Sequence, residues 1–125
     1  SGNFAWQDSQ DELADAPAAN SPEKQLYLRS DWTMNNGWRM NMQANWVIGR
    51  NRVVGDLRDP VDDYVLVDMN LRKVLSDHIE VALIINNLLD EDVYEPSPNA
   101  MPVPFIPNDL PLAGRSFLGE IRYKF

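Results

Sequence analysis

Four aspartates crowd into one short stretch, Asp56, Asp59, Asp62 and Asp63, and carboxylate oxygens at that density suit a hard cation such as calcium. The plainer reading, an acidic solvated loop, outweighs it: the spacing is not that of an EF-hand loop, and Arg50, Arg52 and Arg58 lie among the acids. Asp90-Glu91-Asp92 reads in the same way as a solvated loop edge. His78 is the single histidine, and it follows Ser76-Asp77, a tight-turn sequence, where a histidine is more often a surface residue than a ligand or a proton switch. No nucleophile, general base or phosphate-cradling glycine loop accompanies these carboxylates. Enzymatic activity is therefore not expected, and neither a cofactor nor a metal site is indicated.

The elements that carry these residues belong to a chain of 125 residues, which fits one structural unit spanning 1–125. Lys and Arg number 11 against 19 Asp and Glu, a net charge of -8. Phosphate binding needs a basic face, so a nucleic-acid partner is disfavoured. With no cysteine there is neither a disulfide framework nor a thiolate metal site. The opening residues lack the basic and apolar regions of a secretory signal, and no run of eighteen apolar residues marks a transmembrane helix. Neither point bears on a membrane β-barrel, whose strands are short and alternating.

The clearest periodicity runs from Gly37 to Gly49. Trp38, Met40, Met42, Ala44, Trp46 and Ile48 point one way, and Arg39, Asn41, Gln43 and Asn45 the other, a strict period of two that predicts a strand. Before it, Leu26, Leu28, Trp32 and Met34 alternate with polar residues, with Ser30 the one polar residue on the apolar side. Asn35-Asn36-Gly37 between the two runs is hairpin chemistry, since Asn and Gly tolerate positive φ. Val65 to Leu71 and Ile79 to Ile85 repeat the pattern around a second tight turn, and Phe117 to Phe125 repeats it at the C-terminus. Phe4-Ala5-Trp6 looks like the tail of another strand. The expectation is all-β: an antiparallel up-and-down meander of about six strands. Its connections alternate in length, long at 9–23, short at 35–37, long at 50–62, short at 75–77 and long at 89–114. Six prolines in the last one predict an irregular surface loop.

A soluble sandwich has no reason to sort its loops by parity, whereas a membrane barrel has short turns at one end and long loops at the other. The polar faces also come close to a continuous hydrophilic wall, from Arg29 and Asp31 through Asp68 and Arg72 to Glu120 and Arg122. Trp38 and Trp46 lie eight residues apart on one apolar face, which places them near opposite rims of an apolar band as interface aromatics. Ordinary core tryptophans remain the alternative.

Residues 64–71, Tyr-Val-Leu-Val-Asp-Met-Asn-Leu, followed by the strand ending Asn86-Asn87-Leu88-Leu89-Asp90, resemble the penultimate strand pair of TonB-dependent outer-membrane receptors. Pro-Leu-Ala-Gly-Arg-Ser-Phe at 111–117 and the closing Arg122-Tyr123-Lys124-Phe125 resemble that family's last strand. The match covers about the last half of the chain well and the earlier hairpins more loosely, with Leu89 standing where the family usually has Phe. The resemblance implies a segment of a larger transmembrane β-barrel in the outer membrane of a Gram-negative cell, serving energy-dependent uptake of a scarce nutrient such as a ferric siderophore. Its implied partners are the remainder of the barrel and a plug domain, outer-membrane lipid, the TonB energy-coupling complex acting through the plug, and the barrel-assembly machinery. That machinery would read Tyr123 and Phe125 as a terminal signal. Ligand contacts would come from external loops, with Tyr94, Phe105 and Arg115 the first places to look, although loop packing is the plainer role for all three.

The family's barrel has about 22 strands and a plug, so the expectation is an excised segment with two adhesive edges. Two other readings stand beside it. One is a soluble β-sandwich binding module, for carbohydrate or a similar ligand, in which the aromatic face is core. The other is a small complete outer-membrane barrel of a different family.

Overall fold

The computed structural model describes residues 1–8, 10–11, 16–17, 22–52, 56–97 and 108–125. Six strands form one antiparallel sheet in chain order: β1 (Gly2–Asp8), β2 (Pro22–Thr33), β3 (Trp38–Arg50), β4 (Tyr64–Val74), β5 (Ile79–Asn86) and β6 (Ser116–Tyr123). This is the expected meander. The sheet is open: β1 and β6 are its two edges and do not pair with each other. The first strand is longer than Phe4-Ala5-Trp6 suggests, because all of Gly2–Asp8 pairs with Ser30–Lys24 of β2.

The two short connections form for local reasons. Between β2 and β3, Asn36 (φ 63°) and Gly37 (φ 75°) take the left-handed conformation that this turn requires, and the Met34 N–H closes it on the Trp38 carbonyl at 2.9 Å. A Cβ on Gly37 would meet the Val74 carbonyl oxygen at 3.0 Å, so glycine also lets the turn approach β4. Between β4 and β5 the Ser76 hydroxyl accepts from the N–H groups of His78 and Ile79 at 3.3 and 3.2 Å, a side-chain turn of the kind serine favours.

The long connections add small ladders of their own. Gln10–Asp11 pairs with Ala16–Pro17, and Tyr94–Glu95 pairs with Leu110–Pro111. The last loop is thus not wholly irregular, contrary to its proline content. Pro111 is accommodated at the edge of a two-residue ladder, where a missing N–H costs little.

Register settles which residues share a face. Trp46 pairs with Leu26 and Val65, Met42 with Ser30 and Met69, and Leu83 with Leu71 and Gly119, so the apolar sets of all strands coincide. Phe4, Trp6 and Ile121 join them. Among the described residues no second sheet covers this face, and on the edge strands its side chains stay open: Ile121 is 79% exposed, Phe4 69% and Phe117 65%. Ser30, a polar side chain in the middle of this face, accepts a hydrogen bond from the Trp32 indole N–H.

The opposite face is a hydrogen-bonded polar wall. Gln25 donates to Asn45 at 2.8 Å, Tyr27 to Gln43 at 3.1 Å, and Gln43 to Asp68 at 3.0 Å. Nearer the short turns, Glu80 receives Arg39 at 2.5 Å and Arg72 at 3.1 Å, while Glu120 receives Arg122 at 2.8 Å. Leu118 departs from the pattern: it is opposite Ile84 on this polar face, an apolar spot beside Asn70, whose buried Oδ1 has no donor.

Candidate functional site

At the long-loop end the polar face carries the small apolar cluster that the chain buries, Val47, Tyr64 and Val93 with Leu66 packed on it. Val93 comes from the loop after β5, so that loop folds back over the end of the wall. Strict alternation would put Arg50 on the apolar face. Gly49, at φ 67°, breaks the alternation. Arg50 then packs over the Tyr64 ring, its guanidinium carbon 4.6 Å from the centroid, on the side where Val47 pairs with Tyr64.

Three arginines tie the long loops together. Arg50, only 4% exposed, donates to the backbone carbonyls of Tyr94 and Asp62 and lies 3.6 Å from the Glu95 carboxylate. Arg52 grips Asp109 with two hydrogen bonds of 2.8 and 2.7 Å, and the Asp59 carbonyl at 2.7 Å. Arg58 meets Asp56 at 2.6 Å and reaches the Ser97 hydroxyl and carbonyl, both at 2.8 Å. Such paired guanidinium contacts are among the stronger hydrogen bonds in proteins. The Arg58 hydrogen bonds hold the Asp56 carboxyl well below the usual carboxylate range, and those from Arg52 lower Asp109 to about 2.

This arrangement uses two of the four carboxylates that sequence offered as cation ligands. Asp56 is taken by Arg58, and Asp63 accepts the Gly49 N–H at 2.8 Å. Beside them a cleft of about 310 Å³ opens between the loops, with Arg50, Asp62, Tyr64, Glu91 and Tyr94 among its walls. Tyr94, one of the residues sequence offered for ligand contact, is half exposed and lines this cleft. Arg115 is elsewhere. It pairs with Asp90 at 2.9 Å and lies over the Phe117 ring at 5.9 Å, at the β5–β6 junction, and it does not line the Tyr94 cleft. Phe105 lies outside the described residues.

The β5–β6 junction joins the two stretches on which the family resemblance rests. Asn86 pairs with Ser116, and its amide donates to the Ser116 hydroxyl at 3.1 Å. Asn87, 3% exposed and left-handed at φ 51°, ends β5. Its N–H turns to Asp68 at 2.9 Å, and its side-chain amide exchanges two hydrogen bonds with the Glu91 backbone, at 2.8 and 2.9 Å. Asn87 was not singled out from sequence, although the Asn-Asn-Leu-Leu-Asp run that contains it was. Asp109 and Ser97 had no sequence signal, since their partners lie 57 and 39 residues away.

Trp38 and Trp46 both stand on the apolar face, at its short-turn and long-loop ends, and both are more than one-third exposed. At the C-terminus Tyr123 stacks near His78, with centroids 6.2 Å apart, and Phe125 meets Tyr123 edge-on at 5.1 Å. The Lys124 N–H donates to the His78 carbonyl at 2.9 Å, so His78 serves to finish the last strand pair. No protein-family model matches this chain, and neither a curated protein nor a solved structure is significantly similar to it.

Proposed function

We propose that this chain is a wall segment of a TonB-dependent outer-membrane receptor, a plugged β-barrel that takes up a scarce nutrient such as a ferric siderophore. The observation that carries the reading is the form of the sheet. Among the described residues it is a single layer with one apolar face, an opposite face that is largely polar, and two unpaired edges. A soluble sheet hides its apolar side against a second layer, whereas a barrel wall turns it to lipid and closes its edges through neighbouring strands. The meeting of the Asn86–Asp90 and Pro111–Phe117 stretches at one junction supports the receptor family in particular.

In this reading the polar wall faces a hydrated lumen or plug, and the arginine-tied loops form part of the outer mouth. Tyr123 and Phe125 present the terminal signal to the assembly machinery, and the TonB complex acts through the plug. Along β3 the eight residues between Trp38 and Trp46 span about 26 Å, or roughly 19–22 Å of membrane normal at a tilt of 35–45°, which fits the apolar band of an outer-membrane barrel. Sizing and circular dichroism of the chain with and without detergent test the barrel part. β-structure that requires detergent, or sheet-paired multimers in water, is the expected result. A well-folded monomer in plain buffer would return the β-sandwich to first place. The transport part is tested by deleting the segment in the encoding cell, where TonB-dependent uptake should be lost.

A further inference from the structure

The apolar face is uncharged throughout its middle, and the described lysines on it stand only at its limits. Register puts Lys73 opposite Trp38, and Lys24 opposite Ile48 on one side and Asp8 on the other, one apolar-face pair beyond Trp46 and Leu26. Lys73 is a built feature. Its ammonium donates to the Asn36 carbonyl at 2.5 Å and sits 4.9 Å over the Trp38 ring, so the side chain is drawn away from the apolar band toward the short turn. A lysine whose stem lies on apolar surface while its ammonium reaches polar surroundings is the arrangement expected at a hydrocarbon–water boundary. An indole beneath it belongs at the same level.

We propose that Lys73, at the short-turn rim, contacts the anionic phosphates of lipid headgroups and sets the height of that rim in the bilayer. This rests on the membrane reading above. The partner is a bilayer because of the order of side chains toward this rim: an uncharged apolar band, the Trp38 indole, then the Lys73 ammonium over it. The long-loop rim lacks that order, since register puts Asp8 opposite Lys24.

The test uses the full chain folded into vesicles of phosphatidylcholine, with or without phosphatidylglycerol. Each lysine near an anionic surface contributes a factor of about five in binding. Lys73→Gln should therefore lower the folding constant about fivefold more in the anionic vesicles than in the neutral ones. Lys73→Arg should retain the difference. Loss of the Asn36 hydrogen bond is common to both lipids and cancels in the comparison. Because the chain has no cysteine, single spin labels at Ala44→Cys and Asn45→Cys report the two faces independently. If the Ala44 label lies in hydrocarbon while the Lys73→Gln effect is equal in both lipids, the headgroup contact is overturned and the membrane reading stands. If the labels at 44 and 45 are equally open to an aqueous relaxant, or the chain stays unfolded with lipid present, both fall.

Discussion

An arginine in place of Met42 probes the apolar face where the reasoning is most exposed. Met42 stands four residues from each of Trp38 and Trp46, about 13 Å along the strand from either, and so at the middle of the apolar band. In a lipid-facing wall an arginine at the midplane costs about 2–4 kcal/mol, and one near an interface only about 0–1. The folding constant of Met42→Arg should therefore fall roughly 30- to 900-fold, against about fivefold or less for Ile79→Arg, at the short-turn margin opposite Tyr123. Gln43→Arg is the opposite-face control. Its side chain points into the polar wall, where the Asp68 carboxylate that Gln43 now meets at 3.0 Å can receive a guanidinium, so its effect should stay within a few-fold. Urea titrations of the chain in vesicles, read by tryptophan fluorescence, measure all three, with Met42→Ala correcting for lost packing. Equal costs at 42 and 79 would refute the argument, because a buried protein core penalises both. So would a negligible cost at 42, because a water-exposed face penalises neither.

Asn87→Ala removes a buried amide that satisfies both the N–H and the carbonyl of Glu91, and should cost about 1–3 kcal/mol, seen as a lower urea midpoint with an unchanged slope. Gly49→Ala places a methyl 2.9 Å from the Glu23 carboxylate at φ 67°; it should be destabilising by about 1–3 kcal/mol and should free Arg50 from Tyr64, detectable as faster amide exchange at Arg50. Acid should loosen the loop lattice before the sheet. Asp109 titrates at about 2 against 3.8 for its ordinary value, so its contribution is complete above about pH 4 and is lost as pH falls toward 2. Proteolysis or hydrogen exchange of residues 56–63 and 89–97 between pH 5 and pH 2 follows this, and Asp109→Asn should show the loosened state already at pH 7.

The strands of this sheet were legible because their residues repeat a local rule. Trp38 to Trp46 alternates without a break, Asn36-Gly37 supplies the positive φ its turn needs, and the short connections are all at one end. Where the rule is interrupted, reading by period fails. Gly49 turns Arg50 to the other face, and Leu118 sits on the polar wall. Phe4-Ala5-Trp6 alone did not reveal that Gly2 and Asp8 pair with β2, because polar residues at strand ends carry no period. The loop lattice was invisible for a different reason. Arg52 finds Asp109 across 57 residues, and only the closure of the sheet between them brings the two together. The arginines among these acids already spoke against a cation site in the sequence, but which carboxylate each would meet, Asp56 for Arg58 and Asp109 for Arg52, was not legible there.

The even number of strands has a consequence for anything that completes this sheet. β1 and β6 run in opposite directions, so a single strand laid across the gap would meet one edge antiparallel and the other parallel. Only an even number of added strands, or none, closes the ring with every pair antiparallel. Growth or loss of such a wall therefore proceeds by whole hairpins, which also keeps every long loop on the side where the arginine lattice already stands.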